Sequence, residues 1–335
     1  MTQTKHRSEN RRARIAVVAL ASATLAACAS APKPQPRPDG VPAAPAPTQQ
    51  APQFPSATPA YRVPPMQFPA GTSTASRIVQ IAQREHRAWY QPFIDANGRL
   101  ASRRVGESER AKLEDGDEAW ARVAAYWRDS GTLYEMVNSN QAGAYQCQQP
   151  YGSTFARSEC RAFVSDVAWS AAFISYVMAQ AGVQGFRYSP RHIDYIRAAF
   201  RNDGASPYRF QDPNQVAVQP GDMLCYVRNS GSVVGFGGLA TFLSGSGGGL
   251  QSHCDIAVNI TGNQVWLVGG NVANMVTMRK LTLDAGGRAL LPRPISNNWV
   301  GADEEGMDPS CSPSNEASCS MNRQNWAVLL KLVRP

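Results

Sequence analysis

The sequence lacks the features that mark several protein classes. Charged residues make up only 17% of its 335 residues, and beyond residue 27 they include no tract rich in lysine and arginine. Nucleic-acid binding, which needs a basic stripe or patch, therefore has no support. No Cys-x-x-Cys pair and no histidine–cysteine spacing suits zinc, so we expect neither a metal nor a cofactor.

The N-terminal apolar run, residues 15–27, is too short to span a bilayer as a stable helix. It follows a basic start and ends in small residues, which predicts a signal peptide over residues 1–27. The ending LAAC resembles a bacterial lipobox, which implies cleavage before Cys28 and a lipid on its sulfur. An ordinary signal with a coincidental cysteine is the alternative. Ala29 is not the aspartate that retains lipoproteins at the inner membrane, so we expect the periplasmic face of the outer membrane.

The signal segment carries five basic residues and one acidic residue, so its removal lowers the net charge from +8 to about +4. This mild basicity is compatible with an anionic polymer such as peptidoglycan. Beyond the signal, 13 of the 24 prolines lie between Pro32 and Pro69. Proline at this density opposes helix and sheet and favours an extended chain. We predict that residues 28–75 are a lipidated, disordered tether; a proline-rich ligand for a partner domain is the alternative.

Six cysteines remain in the mature chain beside Cys28: Cys147, Cys160, Cys225, Cys254, Cys311 and Cys319. An even number in an exported chain indicates disulfides, and six cysteines allow 15 connectivities. Spacing favours near neighbours, which pairs Cys147 with Cys160 and Cys311 with Cys319. Adjacent strand residues point to opposite faces. If His253 faces a cleft, Cys254 faces the core and can meet Cys225. Two buried thiols, or a catalytic Cys254, are the alternatives.

Helical apolar spacing gives way to strand-like segments along residues 76–335, which predicts one α+β domain. A mainly helical part covers residues 76–165, and the core covers residues 166–335. We expect a central buried helix over Ser170–Gln180 and five strands after it. The Gly-rich segment 229–252 lacks the ending and the following helix of a phosphate loop, so we expect a flexible lid or insertion.

Four segments carry a family resemblance. SAAFISYVMAQAG, PGDMLCY, HCDIAV and VGGNVANMV follow one another in the order of the motifs of NlpC-like and CHAP-like cell-wall peptidases. Ser170 falls on the catalytic cysteine of those enzymes, His253 on the catalytic histidine and Asn271 on the polar residue that orients it. The resemblance implies a papain-like (NlpC-like) fold with N-terminal helices packed on an antiparallel sheet. It also implies a lipoprotein family with serine in place of cysteine.

A nucleophile at a helix N-terminus experiences the positive end of the helix dipole, which stabilises a thiolate much more than it helps an alcohol. A serine must instead pass its proton to a base during attack. The resemblance therefore implies a peptidoglycan amidohydrolase or endopeptidase with a centre of Ser170, His253 and Asn271. The alternatives are a catalytically inactive domain that binds stem peptides or a partner protein, and an envelope scaffold.

Three further residues are expected to contact substrate or to tune the centre. Trp169 precedes Ser170 and is predicted to line a groove. His192 lies on a flanking helix, where an ordinary surface position is the alternative. Asp255 shares a strand face with His253 and can adjust its charge. Each member of the centre also has a structural interpretation, because serine favours helix starts and asparagine favours turns.

Overall fold

The computed structural model describes residues 63–202, 204–245, 247–295, 308 and 310–333. The predicted signal peptide, the Cys28 lipidation site and the predicted tether up to residue 62 lie outside the described residues. The end of that predicted tether packs on the folded part. Val63 is buried, and Arg84 Nη1 donates a 3.1 Å hydrogen bond to Pro64 O. The folded part therefore begins before residue 76.

The described residues form seven α-helices: α1 (Thr74–Ala88), α2 (Ala119–Asp129), α3 (Leu133–Asn138), α4 (Thr154–Asp166), α5 (Ser170–Gln180), α6 (His192–Arg201) and α7 (Gly235–Ser244). Helix α5 has the predicted bounds, and Gly182 just beyond it has a left-handed φ of 67° that suits glycine. The sequence pattern predicts a loop where α3 and α4 lie. These two helices bury few side chains, so their apolar pattern is weak.

Across the described ranges, eight strands form one sheet: β1 (Phe93–Ile94), β2 (Leu100–Ala101), β3 (Tyr208–Gln211), β4 (Met223–Val227), β5 (Ser252–Thr261), β6 (Gln264–Val272), β7 (Met275–Thr282) and β8 (Asn325–Leu332). Their order across the sheet is β2-β1-β7-β6-β5-β4-β8-β3. The pairs are antiparallel except β1 with β7. The five long strands match the expected ones. The mixed α+β class is therefore confirmed.

The sheet separates two apolar clusters, because alternate strand residues face opposite sides. Met223, Cys225 and Val227 belong to the larger cluster, which includes the helices. Leu224 and Tyr226 belong to the smaller cluster. The residues of β4 are all buried as a result, since both faces of this central strand are covered.

The disulfides are Cys147–Cys160, Cys225–Cys254 and Cys311–Cys319. All three predicted pairings are confirmed. Cys225 and Cys254 lie directly opposite each other on β4 and β5. Cys254 thus faces the core and takes no part in a cleft.

The Gly-rich insertion contains a helix, which its composition did not predict. Asn325 on β8 holds the start of α7, because its Oδ1 accepts from Gly235 N at 2.8 Å and its Nδ2 donates to Val233 O at 2.8 Å. The residues that follow α7 return to β5 along the mouth of a cleft. None of the described helices is by itself long and apolar enough to cross a membrane, although α4 and α5 would pass that test as a bent pair.

Candidate functional site

Ser170 is the first residue of α5. This helix has a largely apolar sequence and packs against α2 and the sheet. The first N–H groups of a helix have no acceptor within the helix, so they point towards any group placed at its start. The Ser170 hydroxyl is 2.7 Å from His192 Nε2. A hydroxyl paired with an imidazole therefore lies at the positive end of the central helix.

The segment SPRHIDYIRAAF predicts a helix that Ser189 caps and that begins at Pro190. In the structure, α6 begins two residues later, at His192. Ser189 still helps to start the helix, because its Oγ accepts from Arg191 N at 3.1 Å and donates to Asp194 Oδ2 at 2.6 Å. One turn into α6, the Tyr195 hydroxyl forms a hydrogen bond with His192 Nδ1. His192 is only 4% exposed, so the alternative of an ordinary surface position is wrong.

His253 lies near the start of β5 and is fully buried. Its Nε2 is 2.9 Å from Asp255 Oδ1, as the shared strand face predicted, and its Nδ1 has no hydrogen-bond partner among the described residues. Arg279 Nε in turn donates to Asp255 Oδ2 at 3.1 Å. The absence of a side chain at Gly269 leaves room for the His253–Asp255 pair, because a Cβ there would overlap the Asp255 carboxylate.

The expected contact between Ser170 and His253 is not present. Ser170 forms a hydrogen bond with His192 instead. The His192 ring lies next to the His253 ring, with the two centroids 5.1 Å apart. The reason is tertiary, because α6 places its first residue, His192, beside the N-terminal end of α5. The catalytic role assigned to His253 stays a prediction.

Asn271 reaches the same region through an irregularity in β6. The pairing of β6 with β7 shifts register between Gly269 and Val272, and Asn271 has a left-handed φ of 54°, which asparagine tolerates. The amide orientation that satisfies its neighbours places Nδ2 3.0 Å from Glu107 Oε2 and Oδ1 3.2 Å from Trp169 N. Asn271 therefore steadies the start of α5, and Asp255 takes the place beside His253 that was expected for Asn271.

Trp169 does not line the groove as expected. Its ring is fully buried, stacks on Trp89 with centroids 5.8 Å apart, and donates from Nε1 to Glu107 Oε2 at 2.6 Å. The residue fixes the entry into α5 from the core side.

A cleft of about 580 Å³ opens over the Ser170–His192 pair. Its lining consists of Ala168, Ser170, Pro190, Arg191, His192, Arg228, Asn229, Gly249, Leu250, Gln251, Ser252 and Asn271. The residues after α7 form one wall, so the Gly-rich insertion contributes to the site. His253 and Asp255 lie behind this surface and are not part of the lining.

The histidines of the site are neutral at pH 7. Burial, together with the nearby His253 and Arg228, holds the pKa of His192 well below 6.5. Burial lowers the pKa of His253 to about 4 even though Asp255 opposes the shift. Burial alone would raise the pKa of Asp255, but His253 and Arg279 lower it, so its carboxylate stays ionised. A neutral imidazole can accept a proton from Ser170.

Within the part of the chain that the structure describes, no three histidine, cysteine or acidic side chains are grouped as a metal site would require. Sequence reasoning missed Tyr195, Glu107 and Arg228. The i, i+3 spacing of His192 and Tyr195 in HIDY was the one available signal, because residues at this spacing share a helix face. Glu107 and Arg228 reach the site only through the tertiary fold.

Residues 114–332 match a family described as an uncharacterized protein conserved in bacteria (DUF2272). The chain belongs to this DUF2272 family. The match covers α2 to β8 and thus every residue of the Ser170–His192–His253 row. No curated protein and no solved structure matches the chain.

Proposed function

We propose that this DUF2272 protein is a serine-dependent hydrolase that cleaves peptide or amide bonds of peptidoglycan. Ser170 is the nucleophile and His192 is the base. The observation that carries the proposal is the 2.7 Å hydrogen bond between Ser170 Oγ and His192 Nε2 at the floor of an open cleft. A helix that begins at the nucleophile and packs on antiparallel strands supports a papain-like (NlpC-like) architecture.

The proposed reaction uses the proton that joins the two side chains. Ser170 Oγ attacks the carbonyl carbon while its proton passes to His192 Nε2. The C–N bond breaks, the leaving amine takes that proton, and an acyl-serine remains. A water molecule gives a proton to His192 Nε2 as its oxygen attacks the acyl carbon. The C–O bond to Ser170 then breaks, His192 returns that proton to Ser170 Oγ, and the acid is released with both side chains restored. First-turn N–H groups of α5 are available to stabilise the oxyanion.

The Tyr195 hydroxyl can stabilise the tautomer that this chemistry needs, because its oxygen can accept a hydrogen bond from His192 Nδ1–H. Burial raises the pKa of Tyr195 well above 10, so the hydroxyl keeps its proton. When His192 Nδ1–H donates to Tyr195, Nε2 is free to accept from Ser170. The tyrosine is thus a positioning residue in the place that a carboxylate takes in other serine hydrolases.

The lipobox-like LAAC segment and the proline-rich stretch support a location at the periplasmic face of the outer membrane, with the domain tethered through Cys28. The mild positive charge of the mature chain is compatible with an anionic wall polymer. The same cleft also supports a second function, the binding of wall peptides or a partner protein without turnover. A phenol in place of a carboxylate behind His192, and exposures of only 7% for Ser170 and 4% for His192, favour this second function.

Digestion of purified peptidoglycan by the full chain tests the proposal. Ser170→Ala should remove product release and labelling by a serine-reactive probe, and His192→Gln should lower the rate by about a hundredfold or more. Ser175→Ala is the matched control, because Ser175 lies on the same helix, is buried and bonds to Ser189 O outside the cleft. It should leave digestion intact.

The outcomes separate the possible roles of the site. Digestion that persists in Ser170→Ala excludes this nucleophile. Loss of digestion in His253→Gln, with His192→Gln unaffected, would assign the base to His253. If the wild-type protein binds peptidoglycan but releases no product, the binding function replaces the hydrolase.

A further inference from the structure

Arg228 places a cation in the same cleft as Ser170 and His192. It follows β4 directly, and its guanidinium lies over the Tyr226 ring at 5.4 Å. Its Nη2 donates to Tyr226 Oη at 3.1 Å. The Tyr226 ring also packs on His253, with centroids 5.1 Å apart. Arg228 is thus held next to the row of polar groups that runs from Ser170 to Asp255.

This guanidinium lacks a counter-charge among the described residues. No carboxylate there lies within 4.0 Å of it, and its Nε is buried without a hydrogen-bond acceptor. Burying an unsatisfied donor of a charged group is unfavourable. The charge also acts on the site, because it helps to lower the pKa of both His192 and His253.

Arg191 shows the contrasting case in the same cleft. Its guanidinium pairs with Asp194 at 3.0 Å and with Glu135 at 3.6 Å, so its charge is already compensated. Its side chain is also 60% exposed. Arg228 can therefore offer an uncompensated positive charge to an anionic ligand, whereas the charge of Arg191 is already paired.

We propose that Arg228 binds a carboxylate of the substrate beside the bond that reacts, so that the site selects acidic peptides over neutral ones. The planar guanidinium can present two parallel N–H donors to one carboxylate, a geometry that an ammonium lacks. The bound carboxylate would compensate the charge of the guanidinium. That this carboxylate belongs to a substrate rests on the proposed hydrolase function, but the binding step does not require turnover.

A binding experiment on the full chain tests this inference separately from hydrolysis. The chain has four histidines, so the ring signals of a ¹³C-histidine-labelled sample can be followed by NMR at pH 7. Glutarate should shift the His192 and His253 signals in a saturable manner. Glutaramide, the uncharged diamide of the same carbon chain, should not shift them. Arg228→Gln should weaken glutarate binding about tenfold or more. Arg191→Gln is the matched control and should retain it.

Arg228→Lys keeps the positive charge but loses the two parallel N–H donors of the guanidinium. This variant should therefore bind glutarate more weakly than the wild type. Three results would overturn the inference: equal glutarate shifts in wild type and Arg228→Gln, no saturable shift at all, or binding of inorganic phosphate in preference to glutarate. Failure of peptidoglycan digestion, with glutarate binding intact, would overturn the hydrolase proposal and leave Arg228 as a carboxylate site.

Discussion

At the scale of single residues, the site depends on how closely the sheet backbone approaches the His253–Asp255 pair. A Cβ at Gly269 would overlap Asp255 Oδ1 and lie 3.0 Å from His253 Nε2. Both side chains are buried, so neither can move into solvent. Glycine at this position is therefore a steric requirement of the pair and not a turn preference.

Gly269→Ala should lower the free energy of unfolding by about 1–3 kcal/mol, because overpacking a buried polar pair forces it apart. Urea unfolding measures the change. The matched control is Gly237→Ala in α7, where a Cβ meets nothing within 4 Å. Alanine favours a helix over glycine, so the control should be neutral or stabilising by up to about 1 kcal/mol. Equal effects of the two substitutions would contradict the steric argument.

At the scale of elements, disulfides fasten the parts of the fold that carry the site. Cys225–Cys254 joins β4 to β5 just before Arg228 and next to His253, and closes a separation of 29 residues. Cys311–Cys319 closes a separation of only 8 residues. A crosslink restricts the unfolded chain more when the loop it closes is longer.

Removing the Cys225–Cys254 bridge by double alanine substitution should therefore cost about 3–4 kcal/mol of unfolding free energy. The same change at Cys311 and Cys319 should cost about 2–3 kcal/mol. Denaturant unfolding of the two variants compares the losses directly. A larger loss for the shorter loop would show that chain entropy does not set the order.

At the scale of the whole molecule, the buried histidines make stability depend on pH. Burial lowers the pKa of His86, His192 and His253, and for His253 the folded value is about 4 against 6.5 for the ordinary side chain. Between these two values the unfolded chain binds more protons than the folded one. The contribution to stability is thus complete above about pH 6.5 and is lost as the pH falls towards 4.

His253 alone should account for about 3 kcal/mol of this loss, because each tenfold decrease in proton affinity on folding corresponds to roughly 1.4 kcal/mol. Urea unfolding at several pH values between 7 and 4 gives the slope. His253→Gln removes the titrating group, so the variant should be less stable at pH 7 but lose less on acidification. A wild-type stability that is constant over this range would contradict the argument.

The sequence determined by itself the features that depend on local periodicity and pairing distance. The strands of the sheet core and helix α5 follow from apolar spacing. The pairing of Cys225 with Cys254, and the shared face of His253 and Asp255, follow from the alternation of a strand. The short strands β1 to β3 and the helices α3 and α4 escaped prediction because they bury too little to leave a clear pattern.

Only the tertiary structure decided which imidazole meets Ser170. His192 is 22 residues from Ser170 in the chain, and it reaches the hydroxyl because the N-terminal ends of α5 and α6 lie side by side. Arg228 enters the same cleft from the end of β4. Such contacts depend on where separate elements begin in space, and residue spacing within one element carries no information about that.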